Sequence, residues 1–268
     1  MQNLKQLEVQ RCNSVEVVFD FEGLNIEEVR AVVILDHLEN LKVEYLPELT
    51  HIWKKYPRAI RGFENIKSIE VSWCGSLKYL FSLSIVKLLV KLEEVKISYC
   101  DVLEEVVANN GGEDKVAGDI LVLSGVRHLL LEALPNLTSF CPKMKTIASS
   151  TQNLYTVNSR IEETQHHHLF SKQDPTQSVC LGNLQTVKVH KCDSLGSLFP
   201  QSMATTLGQL ETLELRDCKM MEEIVWKERG EDQETNEIEF PKLKKLEIGT
   251  LPSFTGFCQL EELLLIDL

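Results

Sequence analysis

The sequence lacks the segments that would place the chain in a membrane or send it through the secretory pathway. Its apolar runs are short: the one at 85–90 is interrupted by Lys87, whereas a membrane-spanning helix needs about 20 apolar residues. The N-terminus has no basic start followed by an apolar block, so a secretory signal is not expected. Phosphate-binding glycine loops, dinucleotide fingerprints and basic stripes are also missing. Binding of nucleotides or nucleic acids is therefore not expected either.

What the sequence does contain is the composition of a globular protein. Hydrophobic residues make up 43% and charged residues 25% of the 268 positions, with a formal net charge of −12. That charge is local, because residues 101–119 hold six acids and one base, and residues 222–239 hold eight acids and two bases. These two acidic segments either keep the chain in solution or contact a basic partner, and the first interpretation is the simpler one.

One pattern recurs along the whole chain. It consists of three apolar residues at spacings of three and two, followed three residues later by cysteine or leucine. Eight complete copies and a truncated ninth share this spacing, which is the signature of a leucine-rich repeat. The copies begin at Leu4, Leu38, Ile66, Leu92, Val126, Leu184, Leu210, Leu243 and Leu260.

A longer period divides the repeats into blocks. Residues 63–108 and 181–226 are identical at 15 of 46 aligned positions, which indicates a duplicated block. We expect one continuous solenoid, with repeats 1 to 5 in residues 1–142 and repeats 6 to 9 in residues 181–268. The segment between them, 143–180, has little apolar periodicity and is predicted to be a low-complexity surface insertion, in part disordered.

The repeat predicts an α/β fold, because each copy contains a short strand with alternating burial. Stacked strands form a curved parallel sheet on the concave side of a leucine-rich-repeat solenoid, and short helices and irregular segments form the convex side. Ser84 and Ser202 are predicted helix N-caps on the convex side. Pro47, Pro135 and Pro252 follow the pattern in copies two, five and eight, and predict irregular connections there.

The cysteines fit the repeat and not a disulfide framework. Five of the eight occupy the last position of the pattern, where the chain turns away from the strand, and a thiol there can donate to a buried carbonyl. Cys141 and Cys258 correspond to each other, and Cys180 is the exception. The five in the pattern are Cys12, Cys74, Cys100, Cys192 and Cys218.

Catalytic and metal sites find little support in the sequence. The run at 166–168 consists of three histidines, which rarely point the same way in a loop, and no cysteine or acid lies at motif spacing. The adjacent acids at 104–105 and 222–223 diverge on any regular element, so solvated positions are expected for them. We predict a protein that is not an enzyme and has no cofactor and no metal. An enzyme that uses the histidine run and a thiol is the alternative.

The concave face is the predicted binding site, because its strand positions are polar and vary from copy to copy. A solvated face without a partner is the alternative. Trp73 and Tyr99 lie beside this face in consecutive copies and add an aromatic anchor. The candidate residues for protein binding are Ser68, Glu70, Ser72, Glu94, Lys96, Ser98, Thr186, Lys188, His190, Thr212, Glu214 and Arg216.

The wording of the repeats resembles that of plant coiled-coil nucleotide-binding leucine-rich-repeat (NLR) proteins, the intracellular disease-resistance receptors. The segments 65–81, 92–107 and 134–141 carry this resemblance. It implies a cytoplasmic protein-recognition module in defence that binds a pathogen effector or host protein. It also implies contact with the nucleotide-binding module of a full-length receptor, and a part in its autoinhibition.

The chain differs from that family because the coiled coil and the ATP-binding switch are missing from it. It opens at Leu4 inside one repeat and stops at Leu268 inside another, so we expect a fragment of a longer product or a truncated relative. The alternative function is a leucine-rich-repeat adaptor or scaffold in a ubiquitin-ligase-type assembly, although no F-box-like segment is present.

Overall fold

A computed structural model describes residues 3–22, 33–54, 61–108, 123, 125–140, 167–170, 181–226 and 238–257. Most of its regular structure consists of strands four or five residues long. In chain order the elements are β1 Gln6–Gln10, β2 Val17–Asp20, β3 Val33–Ile34, β4 Asn40–Glu44, β5 His51–Lys54, β6 Arg61–Gly62, β7 Ser68–Ser72, β8 Tyr79–Ser82, α1 Leu83–Val86, β9 Glu94–Ser98, β10 Glu105–Ala108, β11 His128–Glu132, β12 Thr186–His190, β13 Ser197–Pro200, α2 Gln201–Ala204, β14 Thr212–Arg216, β15 Glu223–Trp226 and β16 Lys245–Gly249.

Eight of these strands form one parallel sheet in the order β1-β4-β7-β9-β11-β12-β14-β16. Each of the eight complete sequence repeats contributes one strand, and every pair is in register, so that Leu41 faces Leu7 and Ile69 across the sheet. The second and fourth residues of each strand point into the core, as the period of two predicts. The leucine-rich-repeat solenoid expected from the sequence is confirmed.

A second set of strands lies on the convex side of this core. Its parallel pairs are β2 with β5, β8 with β10 and β13 with β15. Within the described residues, the apolar side chains between the main sheet and this second set of strands form one continuous core. Each repeat therefore depends for its burial on the repeats next to it.

The two convex helices begin earlier than the sequence suggested. Ser82 and Pro200 are the N-cap residues of α1 and α2, so the prediction of Ser84 and Ser202 as caps was wrong. The reason is that β8 and β13 run directly into these four-residue helices without an intervening loop. Within the described parts of repeats two, five and eight no helix occurs, but much of their return connections lies outside those residues, so the proline-based prediction stays a prediction.

Four residues of the predicted surface insertion belong to the convex layer. The segment 167–170 lies between the ends of repeats five and six, where the backbone N–H of Phe140 donates to the carbonyl of Leu169 and that of Leu169 donates to Ser197. Leu169 and Phe170 are buried. For these four residues the expectation of a surface loop was wrong, and we call them the extra rung. The rest of 143–180 lies outside the described residues, so the domain division stays a prediction.

The cysteine position of the repeat works as the sequence suggested. Each thiol donates to the carbonyl two residues earlier, at 3.4 Å from Cys74 to Ser72 and 3.2 Å from Cys218 to Arg216. Burial raises the pKa of the Cys192 thiol, and it raises the pKa of Cys218 to about 11. These thiols are protonated donors at neutral pH, and a protonated thiol is a poor nucleophile. Cys141, Cys180 and Cys258 lie outside the described residues.

Burial predicts a large difference in reactivity between Cys12 and the other thiols of the repeat position. Cys12 is exposed, whereas Cys74, Cys100, Cys192 and Cys218 are buried. We expect iodoacetamide to modify Cys12 at least about tenfold faster than the four buried thiols in the folded chain. Peptide mapping by mass spectrometry measures this, with the same reaction in denaturant as the control. Equal rates in the folded state would contradict the burial of this position.

Candidate functional site

The concave face consists of the first, third and fifth residues of the eight strands of the main sheet. All twelve residues predicted from the sequence lie at these positions. Ten of them are at least partly accessible to solvent, and Arg216 is the most open. Ser72 and Glu214 differ, because each is only 5% exposed. The expectation that these two side chains are displayed to a partner was wrong.

The N-terminal half of the concave face is an acidic surface in which a lysine forms ion pairs with several glutamates. The Nζ atom of Lys42 lies 3.1 Å from a carboxylate oxygen of Glu44, 3.8 Å from Glu8 and 3.9 Å from Glu70. The hydrogen bond to Glu44 raises the pKa of Lys42. In the five strands from β1 to β11 the face carries five glutamates and two lysines, which leaves a net charge of −3.

The C-terminal half is organised around the buried carboxylate of Glu214. Its Oε1 atom lies 2.5 Å from Nζ of Lys245 and 3.3 Å from Nζ of Lys188, and Oε2 lies 3.7 Å from Nε2 of His190. The hydrogen bond from Lys245 holds the pKa of Glu214 below its usual range, while burial lowers the pKa of His190. Strands β12, β14 and β16 carry two glutamates and three permanent cations on this face, a net charge of +1.

The residue that follows each strand of the main sheet forms a second row, which we call the post-strand position. All eight members have left-handed backbone conformation, with φ between 50° and 57°. Each backbone N–H from repeat one to repeat seven donates to the last strand carbonyl of the next repeat, as from Trp73 to Ser98 at 3.1 Å. The members are Arg11, Tyr45, Trp73, Tyr99, Ala133, Lys191, Asp217 and Thr250.

Aromatic residues at this position form a stack along the edge of the concave face. The rings of Tyr45 and Trp73 lie 5.7 Å apart at 7°, and those of Trp73 and Tyr99 lie 4.2 Å apart at 3°. The guanidinium carbon of Arg11 lies 5.6 Å from the centre of the Tyr45 ring. We call these four residues the ladder. The sequence analysis predicted Trp73 and Tyr99 as an anchor but did not include Tyr45 and Arg11, although all four directly precede the last position of the repeat pattern.

The left-handed backbone is strained for a β-branched residue such as Thr250, which is exposed and has φ 55°. Asparagine tolerates this conformation better. We therefore expect Thr250→Asn to raise the free energy of unfolding by about 0.5–1 kcal/mol. Urea denaturation measures the change. Thr212→Asn is the control, because Thr212 is extended in β14 and asparagine is disfavoured in strands. If the free energy of unfolding rose in this variant as well, relief of left-handed backbone strain would not be the explanation.

The side chains considered for metal binding or acid–base chemistry pack into the repeats. The Nδ1 atom of His168 lies 2.5 Å from Oγ of Ser197, and its ring stacks on Trp226 with centroids 4.4 Å apart. His166 lies outside the described residues. Across the described ranges, no group of three or more histidine, cysteine or acidic residues is placed to hold a metal ion. No helix in those ranges is long and apolar enough to cross a membrane.

In each pair of adjacent acids, the second residue begins a convex strand and the first precedes that strand. Glu104 is exposed, as expected, but Glu105 is half-buried at the start of β10, and burial raises its pKa. Glu222 and Glu223 are both half-buried in the equivalent repeat. The expectation of solvated positions for both pairs was therefore wrong for three of the four residues. Glu105 and Glu223 begin convex strands, and this position accounts for the partial burial of these two residues.

The fold and the recurring cysteine position define the chain as a leucine-rich-repeat protein. More narrowly, it belongs to the family described as "Plant disease resistance protein RPS2-like, leucine-rich repeats", whose profile matches residues 1–101 and 159–262. The chain is also 28% identical over 173 residues to the Arabidopsis thaliana protein named "Putative disease resistance protein At4g19050". That alignment covers 62% of this chain and 14% of the relative, so the chain corresponds to a small part of that protein's length.

Proposed function

We propose that this chain is the non-catalytic protein-recognition region of a cytoplasmic plant immune receptor, and that it binds a pathogen-derived or host protein through the concave face. The family supports a role in defence. The observation that carries the proposal is the concave face itself, whose outward residues are mostly polar and change from strand to strand over a constant apolar core. Surfaces of that kind are used by solenoid proteins for protein recognition.

A contribution to autoinhibition is part of the same proposal. In a full-length receptor the nucleotide-binding module is a second protein surface within reach of the repeats. The two halves of the concave face differ in net charge, −3 against +1, so each favours a different kind of surface. A partner that replaces such an internal contact would release the receptor, since both compete for one face.

The test uses a photo-crosslinking amino acid at single positions of the purified chain, mixed with extract from plant leaves. Thr186 and Ser98 lie on the concave face, while Lys219 lies at an exposed turn outside the sheet. We expect a defined protein to crosslink from the first two positions and not from Lys219. Crosslinking from Lys219 but from neither Thr186 nor Ser98 would contradict the proposal.

Charge reversal on the concave face, compared with charge reversal outside it, tests whether this face binds the partner. Lys188 and Arg216 are on the concave face and at least a third exposed, so Lys188→Glu together with Arg216→Glu should weaken capture of the crosslinked partner. Lys219→Glu is the control, because this side chain is 74% exposed outside the face and pairs with Asp193. Equal loss of capture in both variants would indicate a nonspecific charge effect and would count against the concave face.

A further inference from the structure

At one end of the ladder a guanidinium group already lies on an aromatic ring, and both groups belong to this chain. The guanidinium of Arg11 lies over the outer face of the Tyr45 ring of the neighbouring repeat, and both residues occupy the post-strand position. Tyr45 and Trp73 remain 42% and 46% exposed, although aromatic side chains of this size are usually more buried. The ladder is therefore an exposed aromatic surface, and one end of it shows which chemical group stacks on it.

The other end of the ladder stops at a small residue. After Tyr99 the next post-strand residue is Ala133, which carries only a methyl group and is half-buried, so the stack of planar groups ends at Tyr99. Neighbouring strands lie about 4.8 Å apart, a spacing that suits one planar group per repeat. The position above Ala133, beside the Tyr99 ring, is where a further planar group would continue the series.

Charge around this position favours a cation. The Oη atom of Tyr99 donates to Oε1 of Glu132 at 3.1 Å, which places a carboxylate at the edge of the ladder end. Glu44 lies beside the other end, where its carboxylate accepts from Ser72, and the whole half of the face has a net charge of −3. Lys191, one repeat beyond Ala133, is the opposing cation. Carboxylates of this density disfavour the phosphates of nucleic acid.

We propose that the position above Ala133 binds an arginine side chain of a protein partner, with the guanidinium stacked on Tyr99 and paired with the carboxylate of Glu132. A guanidinium is planar, stacks on aromatic rings and forms paired hydrogen bonds with a carboxylate, whereas an ammonium group is a compact point charge. The inference deepens the proposed function, since it names the chemistry of the partner at one point of the face.

The direct test measures binding of the capped peptide acetyl-Gly-Arg-Gly-amide to the full chain, followed through the indole NMR signal of Trp73. The comparison peptides contain citrulline, which has the shape of arginine without its charge, or lysine. We expect the arginine peptide to bind at least about threefold more tightly than the lysine peptide and about tenfold more tightly than the citrulline peptide. Equal binding of the arginine and citrulline peptides would overturn the proposal in favour of neutral stacking.

Three variants locate the site, and two of them act in opposite directions. Glu132→Gln should weaken the arginine peptide about threefold to tenfold, because the paired charge is lost. Lys191→Glu should strengthen it about twofold to fivefold, because a like charge is replaced by an opposite one. Ala133→Tyr should abolish binding by occupying the position with a ring, as Tyr45 and Tyr99 do in their repeats.

Failure of this inference can be separated from failure of the proposed function. Ala133→Tyr introduces a residue type that the post-strand position already accommodates, so the variant should unfold at the same temperature as the unchanged chain. If it unfolds at a lower temperature, the binding changes in Glu132→Gln and Lys191→Glu test the proposal instead, since a loss of folding would not shift peptide affinity in opposite directions. If all three variants leave peptide binding unchanged while Lys188→Glu with Arg216→Glu abolishes partner capture, the inference is wrong and the concave face stands.

Discussion

Truncation of Phe199 to alanine is expected to lower the free energy of unfolding by about 3–5 kcal/mol. Phe199 is fully buried in β13, and its ring stacks on Phe170 of the extra rung, with centroids 5.5 Å apart and an angle of 7°. Phe170 in turn contacts Phe140 of the preceding repeat, with centroids 5.1 Å apart. The substitution therefore removes one ring from a series that connects repeat five, the extra rung and repeat six. It leaves a cavity that the neighbouring side chains fill only in part.

Urea denaturation followed by circular dichroism measures this loss. Phe199→Leu is the matched variant, because it retains apolar volume and should cost less than half as much as alanine. Val90→Ala is the surface control, since Val90 is 62% exposed and should change stability by less than about 0.5 kcal/mol. A loss below 1 kcal/mol for Phe199→Ala would contradict the stacked series.

A solenoid also predicts where that loss is felt. Because each repeat contacts only its neighbours, the damage should spread to repeats five and seven and fade toward the N-terminus. Hydrogen exchange resolved by peptide distinguishes this from global unfolding. Peptides from 181–226 should lose protection first, while 61–108 should keep most of it.

Charge reversal at Glu214 is the second large effect, and we expect Glu214→Lys to lower the free energy of unfolding by about 3–5 kcal/mol. The carboxylate is 6% exposed in its side chain and accepts from Lys188 and Lys245. The variant would place a third ammonium group between these two in a site with little water. Neither lysine could keep its partner, and the new charge could not leave the site without disturbing β14.

The control for this prediction is Glu70→Lys. Glu70 occupies the same third position of its strand, but its side chain is 39% exposed and lies 3.9 Å from Lys42. Exposed pairs contribute little, so its reversal should cost no more than about 1 kcal/mol. Similar losses in the two variants would show that burial of Glu214 is not what matters. Because of this stability effect, Glu214 is a poor choice for testing partner binding.

The contribution of Glu214 should also depend on pH in a defined direction. Its pKa in the folded chain lies below the usual 4.5, so the folded state favours the ionised carboxylate. That stabilisation is complete above the pKa of the unfolded chain and is lost as the pH falls through the folded value. The stability difference between the unchanged chain and Glu214→Gln should therefore be largest near neutral pH and shrink below about pH 4.5.

The repeat spacing was sufficient to predict the fold, because its period fixes both the strand and the register. Every complete copy forms a strand of the main sheet, and the copies pair without a shift. The role of the cysteine position could also be predicted, since a turn after a buried strand needs a small donor for a carbonyl. Both features repeat, so each copy gives independent evidence for the same local structure.

What escaped prediction depends on contacts between repeats. Glu214 and Glu70 occupy the same position of their strands, and they differ in their contacts with neighbouring strands, where Lys188 and Lys245 both approach the Glu214 carboxylate. The ladder needs neighbours in the same way, because Tyr45 becomes part of a surface only when Arg11 and Trp73 flank it. The extra rung could not be read from a periodic pattern, since it belongs to no repeat.

The extra rung gives the two sides of the solenoid different lengths. On the concave side β11 pairs directly with β12, whereas on the convex side the segment 167–170 stands between 139–140 and β13. The added segment lengthens the convex side by the spacing of one chain, about 4.8 Å, and over a thickness of about 10 Å this corresponds to a further bend on the order of 25°. The bend falls where the acidic half of the face meets the basic half. The two halves of the face, which have opposite net charge, are thus inclined toward each other.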